Sequence, residues 1–157
     1  MSYKIYEKAL KRAKKCEDYD CGSKHPSATI EKAEMLLNLR LSPQVKDYLS
    51  RFGYIEFFGV ELYGIIDEKF SLDKNTFEGC MIEWTVNERE NNNLNPNWVA
   101  LKFEDDGEMV FLDFENINDE GEPRVIIAVD EGEGYTFEDE IAEDFGEYLS
   151  KLVDEAE

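Results

Sequence analysis

Long apolar runs are missing from this 157-residue chain. No stretch approaches the roughly 18 apolar residues that a membrane-crossing helix needs, so no membrane-spanning helix is expected. The segment from Met1 to Lys15 is basic but has no apolar h-region, and so does not read as a secretory signal. Cysteine is scarce and odd in number, three residues in all, which makes a poor disulfide framework and fits a reducing compartment. The cytoplasm is therefore the expected location. Histidine is scarcer still, a single residue, His25. Internal repeats and Pro/Gly/Ser linkers are absent too, so one domain over residues 1–157 is expected.

Cations are lacking where anions are dense. The net charge is −20. Residues 1–103 carry 16 acidic against 15 basic side chains, whereas residues 104–157 carry 21 acidic side chains against Arg124 and Lys151 alone. Such a potential repels nucleic acid and anionic lipid and attracts a basic partner, so neither nucleic acid nor membrane is an expected ligand. A plain solubility role is the competing reading. Apolar residues at 42% and aromatics at 13% supply enough material for a core despite the charge.

Periodicity then orders the chain. Tyr6, Ala9, Leu10 and Ala13 fall on one face of a helix over residues 3–15, and Asp18 to Pro26 reads as a loop. Ser27 is placed to cap a second helix with Ile30, Ala33, Leu36 and Leu37 as its buried stripe. Ser42 and Pro43 open a third, lined by Val45, Tyr48, Leu49 and Phe52 and closed by Gly53. Tyr54–Phe58 and Val60–Tyr63 read as strands bent at Gly59. Thr76–Asn87 reads as a helix, with Phe77, Cys80, Met81 and Trp84 on one side. Trp98–Phe103 and Met109–Phe114 form a hairpin around Asp105-Asp106-Gly107. Arg124–Val129 is an apolar run fit for a central strand, and a last helix is predicted from near Thr136, with Ile141, Phe145, Tyr148, Leu149 and Leu152 inward. The predicted class is α+β, a mainly antiparallel sheet with helices packed on one face.

Several of these segments together resemble the SUKH superfamily. They are Ile30-Glu31-Lys32-Ala33-Glu34, then Leu41-Ser42-Pro43, then Val45 to Gly53, Glu61-Leu62-Tyr63-Gly64, Asp106 to Asp113, Val125 to Ala128, and Ile141 to Leu149. The likeness covers residues 27–153, leaving residues 1–26 as an N-terminal helix and loop. Ser42 spreads the usual Leu-Pro step, Val45 stands where Tyr is common, and Asp106-Gly107-Glu108 replaces a usual Gly-Asp. The resemblance implies an α+β fold with no catalytic role. It also implies a protein-binding task. Many bacterial members are immunity proteins that neutralise a toxin, often a nuclease, while others are regulatory interaction modules, including fungal ones linked to cell-wall synthesis.

For most of the chemistry-bearing residues the blander role fits better. Cys16, Cys21 and His25 have a spacing too loose for a paired zinc motif, and a thiol-bearing loop with an exposed histidine is the expected reading. Neither a Cys–His dyad nor a phosphate loop is supported, since Asp130 to Tyr135 carries carboxylates where a phosphate needs N–H groups. Glu104, Asp105 and Asp106 lack calcium-loop spacing. No metal and no cofactor is therefore expected. Trp84 and Trp98 read as core. The expected partner-binding residues are Glu104, Asp105, Asp106, Glu108, Asp130, Glu131 and Glu133 as counter-charges, with Tyr135 as an apolar anchor. The expected partner is a cognate toxin, a basic nuclease domain, and no enzymatic activity is expected.

Overall fold

A computed structural model describes residues 2–105 and 107–156. Among the described residues there are five helices and seven strands. They are α1 (Ser2–Ala13), β1 (Asp20–Cys21), α2 (Ser27–Leu37), α3 (Pro43–Phe52), β2 (Ile55–Phe57), β3 (Val60–Glu61), α4 (Met81–Asn91), β4 (Trp98–Asp105), β5 (Glu108–Ile117), β6 (Pro123–Asp130), β7 (Tyr135–Ala142) and α5 (Phe145–Ala156). Two antiparallel sheets result, β1-β2-β3 and the meander β4-β5-β6-β7. The fold is α+β, as the pattern predicts. β6 lies between β5 and β7, the interior place that its apolar run requires.

The helices show why periodicity is legible. α1 buries the four predicted residues. In α3 the Ser42 hydroxyl accepts from Val45 N at 3.4 Å, Pro43 opens the first turn, and Gly53 follows at φ 73°. α2 departs in detail. Pro26, with extended φ and ψ, occupies the cap, so Ser27 lies inside the first turn and makes no cap bond. Leu36 points outward at 37% exposure while Leu37 is fully buried, because neighbours on a helix lie about 100° apart. α4 starts five residues later than predicted. Gly79 sits at φ 84° and breaks the approach, so Cys80 becomes the cap.

The largest correction concerns residues 135–142. They form strand β7, not the start of the last helix, pairing Val129 with Thr136 and Asp130 with Tyr135. α5 begins at Phe145. Asp144 caps it through Oδ1, which accepts from Glu147 N at 2.9 Å, and Glu147 reaches back to Glu143 N at 3.1 Å.

One apolar cluster runs through all five helices and both sheets. Phe145 stacks 4.9 Å from Tyr48 and 5.8 Å from Tyr6, tying α1, α3 and α5 together. Consecutive residues Val99–Leu101 and Val110–Leu112 are all buried. Successive strand side chains point to opposite faces, so both sides of these strands are shielded.

Two stability predictions arise here. Phe58 stands at φ 43° before Gly59 at φ 80° in the β2–β3 turn, with its ring 51% exposed. Such turns favour Asn-Gly, and Phe58→Asn should raise stability by about 0.5–1 kcal/mol in urea unfolding. No gain would mean that the ring contributes packing its exposure hides. The second prediction concerns Glu122, which is buried, with Oε2 accepting from Gln44 N at 3.0 Å and Oε1 without a partner. Burial pushes its carboxyl up, and the charge of Asp144 adds to this. A carboxyl raised in the folded state binds more protons there than when unfolded, so stability falls as pH rises from the ordinary carboxylate value through the raised one. Glu122→Gln should remove that slope and stabilise by about 1 kcal/mol at neutral pH. Unchanged pH dependence of the melting temperature would contradict this.

Candidate protein-binding site

The meander collects acidic turns at one end of the four-stranded sheet. β4 ends in Glu104 and Asp105, and Asp105 pairs with Glu108 at the start of β5. Glu108 pairs with Val129, one residue before Asp130 at the end of β6. Asp130 N donates to Gly107 O at 2.9 Å, which holds the two hairpin turns side by side. Glu131 and Glu133 occupy the next turn, closed by Glu131 N donating to Gly134 O at 2.9 Å. Thus Glu104, Asp105, Glu108, Asp130, Glu131 and Glu133 share one rim, and all but the half-buried Glu108 are exposed. Asp106 lies outside the described residues.

Tyr135 lies near the rim and is half-buried, and its hydroxyl donates to Glu88 Oε1 at 2.7 Å. Its ring meets Phe111 edge-on at 5.3 Å and Trp84 at 6.1 Å. Burial, with the Glu88 bond second, pushes the phenol well above its ordinary value. The residue clamps the β6–β7 turn to α4. Asn92 completes the clamp, donating to Asp130 Oδ1 at 3.1 Å and accepting from Gly134 N at 2.9 Å. The rim is thereby fixed to a helix end, and fixed charges lose less entropy on binding than mobile ones.

The sequence reading missed the rest of the acidic surface. β7 is an edge strand and exposes Glu138, Asp139 and Glu140. The two cations of the last third are engaged locally. Arg124 bonds Asp113 at 2.8 Å and Glu140 at 3.4 Å and lies 4.9 Å over the Phe137 ring. Lys151 pairs with Glu147 at 3.4 Å. A hydrogen bond with Glu138, then slight desolvation, then the charges of Glu138, Glu104 and Asp105 raise the Glu108 carboxyl above its usual range. That shift follows from like charges crowded together.

The other singled-out residues lie elsewhere. His25 is buried, not exposed, with Nδ1 2.7 Å from Glu68 Oε1. Cys16 and Cys21 are half-buried, and Cys80 is buried beside Lys74. Among the described residues no group of three or more His, Cys, Asp or Glu side chains is placed to hold a metal ion, and no helix is long and apolar enough to cross a membrane. Trp98 is core, at 7% exposure.

The two-sheet α+β frame is consistent with a SUKH-type domain. The SUKH_5 family model, described as SMI1-KNR4 cell-wall, matches residues 8–154, and the chain belongs to that family. Domains of this family are generally immunity or interaction modules. No curated protein matches the chain.

Proposed function

We propose that the protein is an immunity protein that binds a basic toxin, a nuclease domain, and neutralises it through the acidic rim. The convergence of Glu104, Asp105, Glu108, Asp130, Glu131 and Glu133 at one end of the sheet carries this reading. A nuclease needs a cationic groove for phosphates. A rigid anionic rim covers such a groove, and opposite charge speeds capture. Glu138, Asp139 and Glu140 extend the surface along β7. The protein acts in this reading as a stoichiometric binder with no activity of its own, in the cytoplasm where its partner would do harm.

The cell-wall description of the matched family favours a second reading, a regulatory interaction module of the same fold. A pull-down of the tagged protein from its native lysate, at low salt and at roughly 0.5 M, separates the two. A single basic protein, recovered one-to-one and weakened by salt, supports the immunity reading. Several ordinary cellular proteins, or capture indifferent to salt, would favour the regulatory module.

A further inference from the structure

A groove separates the two sheets. β3 is an edge of the first sheet and β4 an edge of the second. Just beyond β3, Tyr63 N donates to Leu101 O at 2.7 Å, joining the sheets at one point. Next to that joint a hollow of about 610 Å³ opens between Gly59, Glu61 and Leu62 on one side and Lys102, Phe103 and Glu104 on the other. A second hollow of about 470 Å³ adjoins it, sharing Tyr63, Thr76, Glu78 and Phe103 and reaching Trp84.

Three observations on this groove agree. Its walls include the edges of β3 and β4, and such edges can accept an added strand. Leu101 O already takes Tyr63 N at 2.7 Å, and Phe103 O takes Lys102 Nζ at 3.3 Å, a side-chain bond that an incoming strand would displace. Its lining is apolar, with one open aromatic ring. Phe103 and Ile66 are exposed by 54% and 53%, while Tyr63, buried at 4%, and the half-buried Trp84 meet edge-on at 6.3 Å and form the floor. Its rim is anionic, with Glu56, Glu61, Glu78 and Glu104, and the lining cation Lys102 is spent on Glu104 at 2.8 Å. Arginine is the side chain that stacks on aromatic faces and takes carboxylates in paired hydrogen bonds.

We propose that this groove binds an extended, arginine-bearing segment of a partner protein, which adds along the strand edges and lays its guanidinium groups between the exposed Phe103 ring and the glutamate rim. The assignment rests on the proposed function only in taking the partner to be basic. The groove and the acidic rim meet at Glu104, so one partner can occupy both.

The test uses the full ¹⁵N-labelled chain and a synthetic peptide of about eight residues alternating arginine and valine, long enough for one added strand, with a citrulline-for-arginine control. Amide shifts should concentrate on Gly59, Glu61, Gly79, Lys102 and Phe103, with the Trp84 indole moving as well. Phe103→Ala together with Glu78→Gln should weaken the peptide by about tenfold or more, as a central aromatic contact does. The Glu131→Gln, Glu133→Gln pair should change it less than about threefold, as rim charges do. Shifts centred on Glu108 and residues 130–133, equal binding of the citrulline peptide, or no binding would each overturn the groove assignment. The first of these leaves the acidic rim intact as a binding surface. Conversely, a failed pull-down alters nothing in the peptide result, so the two proposals fail separately.

Discussion

Alanine at position 64 should cost the protein about 3–5 kcal/mol, a large share of the roughly 5–15 kcal/mol margin of an ordinary domain. A Cβ built on Gly64 would be driven into the Gly53 carbonyl oxygen and would sit 2.9 Å from the Gly53 carbon. Both obstacles are backbone, so no rotamer relieves them. The backbone there is fully committed. Gly64 N donates to Gly79 O at 3.1 Å, Met81 N donates to Gly64 O at 2.9 Å, and Ile65 N donates to Gly53 O at 2.8 Å. The end of α3, the segment that follows β3 and the start of α4 therefore meet at this residue. Yielding would pull apart the joint that also shapes the groove. Gly59→Ala is the contrast. Its φ is +80° but nothing lies within 4 Å of its added Cβ, so it should cost only about 1–2 kcal/mol. Urea unfolding of the two variants checks this. A Gly64→Ala protein that folds with a loss near that of Gly59→Ala would show that the close approach relaxes cheaply.

Sequence reading succeeded where local physics decides the structure. α1, α3 and the β4–β5 hairpin carry periodicity, capping residues and turn chemistry that tertiary packing then confirms. The acidic rim was legible for the same reason, since each hairpin puts its charged turn at the same end. β7 was not legible, because Glu138 and Glu140 favour helix intrinsically, the acidic run is depleted in strands, and together they hide the strand pattern of Tyr135, Thr136 and Phe137. Only pairing with β6 settles it. A local signal for the true helix start was present in Asp144-x-x-Glu147, a capping pattern immediately before the apolar run. Tyr135 and His25 depend on Glu88 and Glu68, partners 47 and 43 residues away, and no window of sequence shows such pairs. The groove is hidden in the same way, being assembled from residues 54–66, 76–79 and 102–104.

Neutralising Asp105, Glu131 and Glu133 together, as Asp105→Asn, Glu131→Gln and Glu133→Gln, should slow association with a basic partner by about 10- to 100-fold at low salt. The three side chains are exposed, so little desolvation accompanies their contacts, and dissociation should change by only a few-fold. Raising salt to about 0.5 M, where screening acts over roughly 4 Å, should bring the variant and the parent together. Folding stability should hold or rise, because the substitutions relieve like-charge repulsion around Glu108. The pH dependence carries the same sign. Glu108, raised by its bond to Glu138, is neutral below its shifted value and charged above it, so association should quicken as pH rises through that range and slow as it falls. Stopped-flow mixing with the partner recovered by pull-down measures all of this. Equal association rates for variant and parent at low salt, or a loss residing wholly in dissociation, would remove the electrostatic account and leave the acidic third as a surface that keeps the protein dispersed.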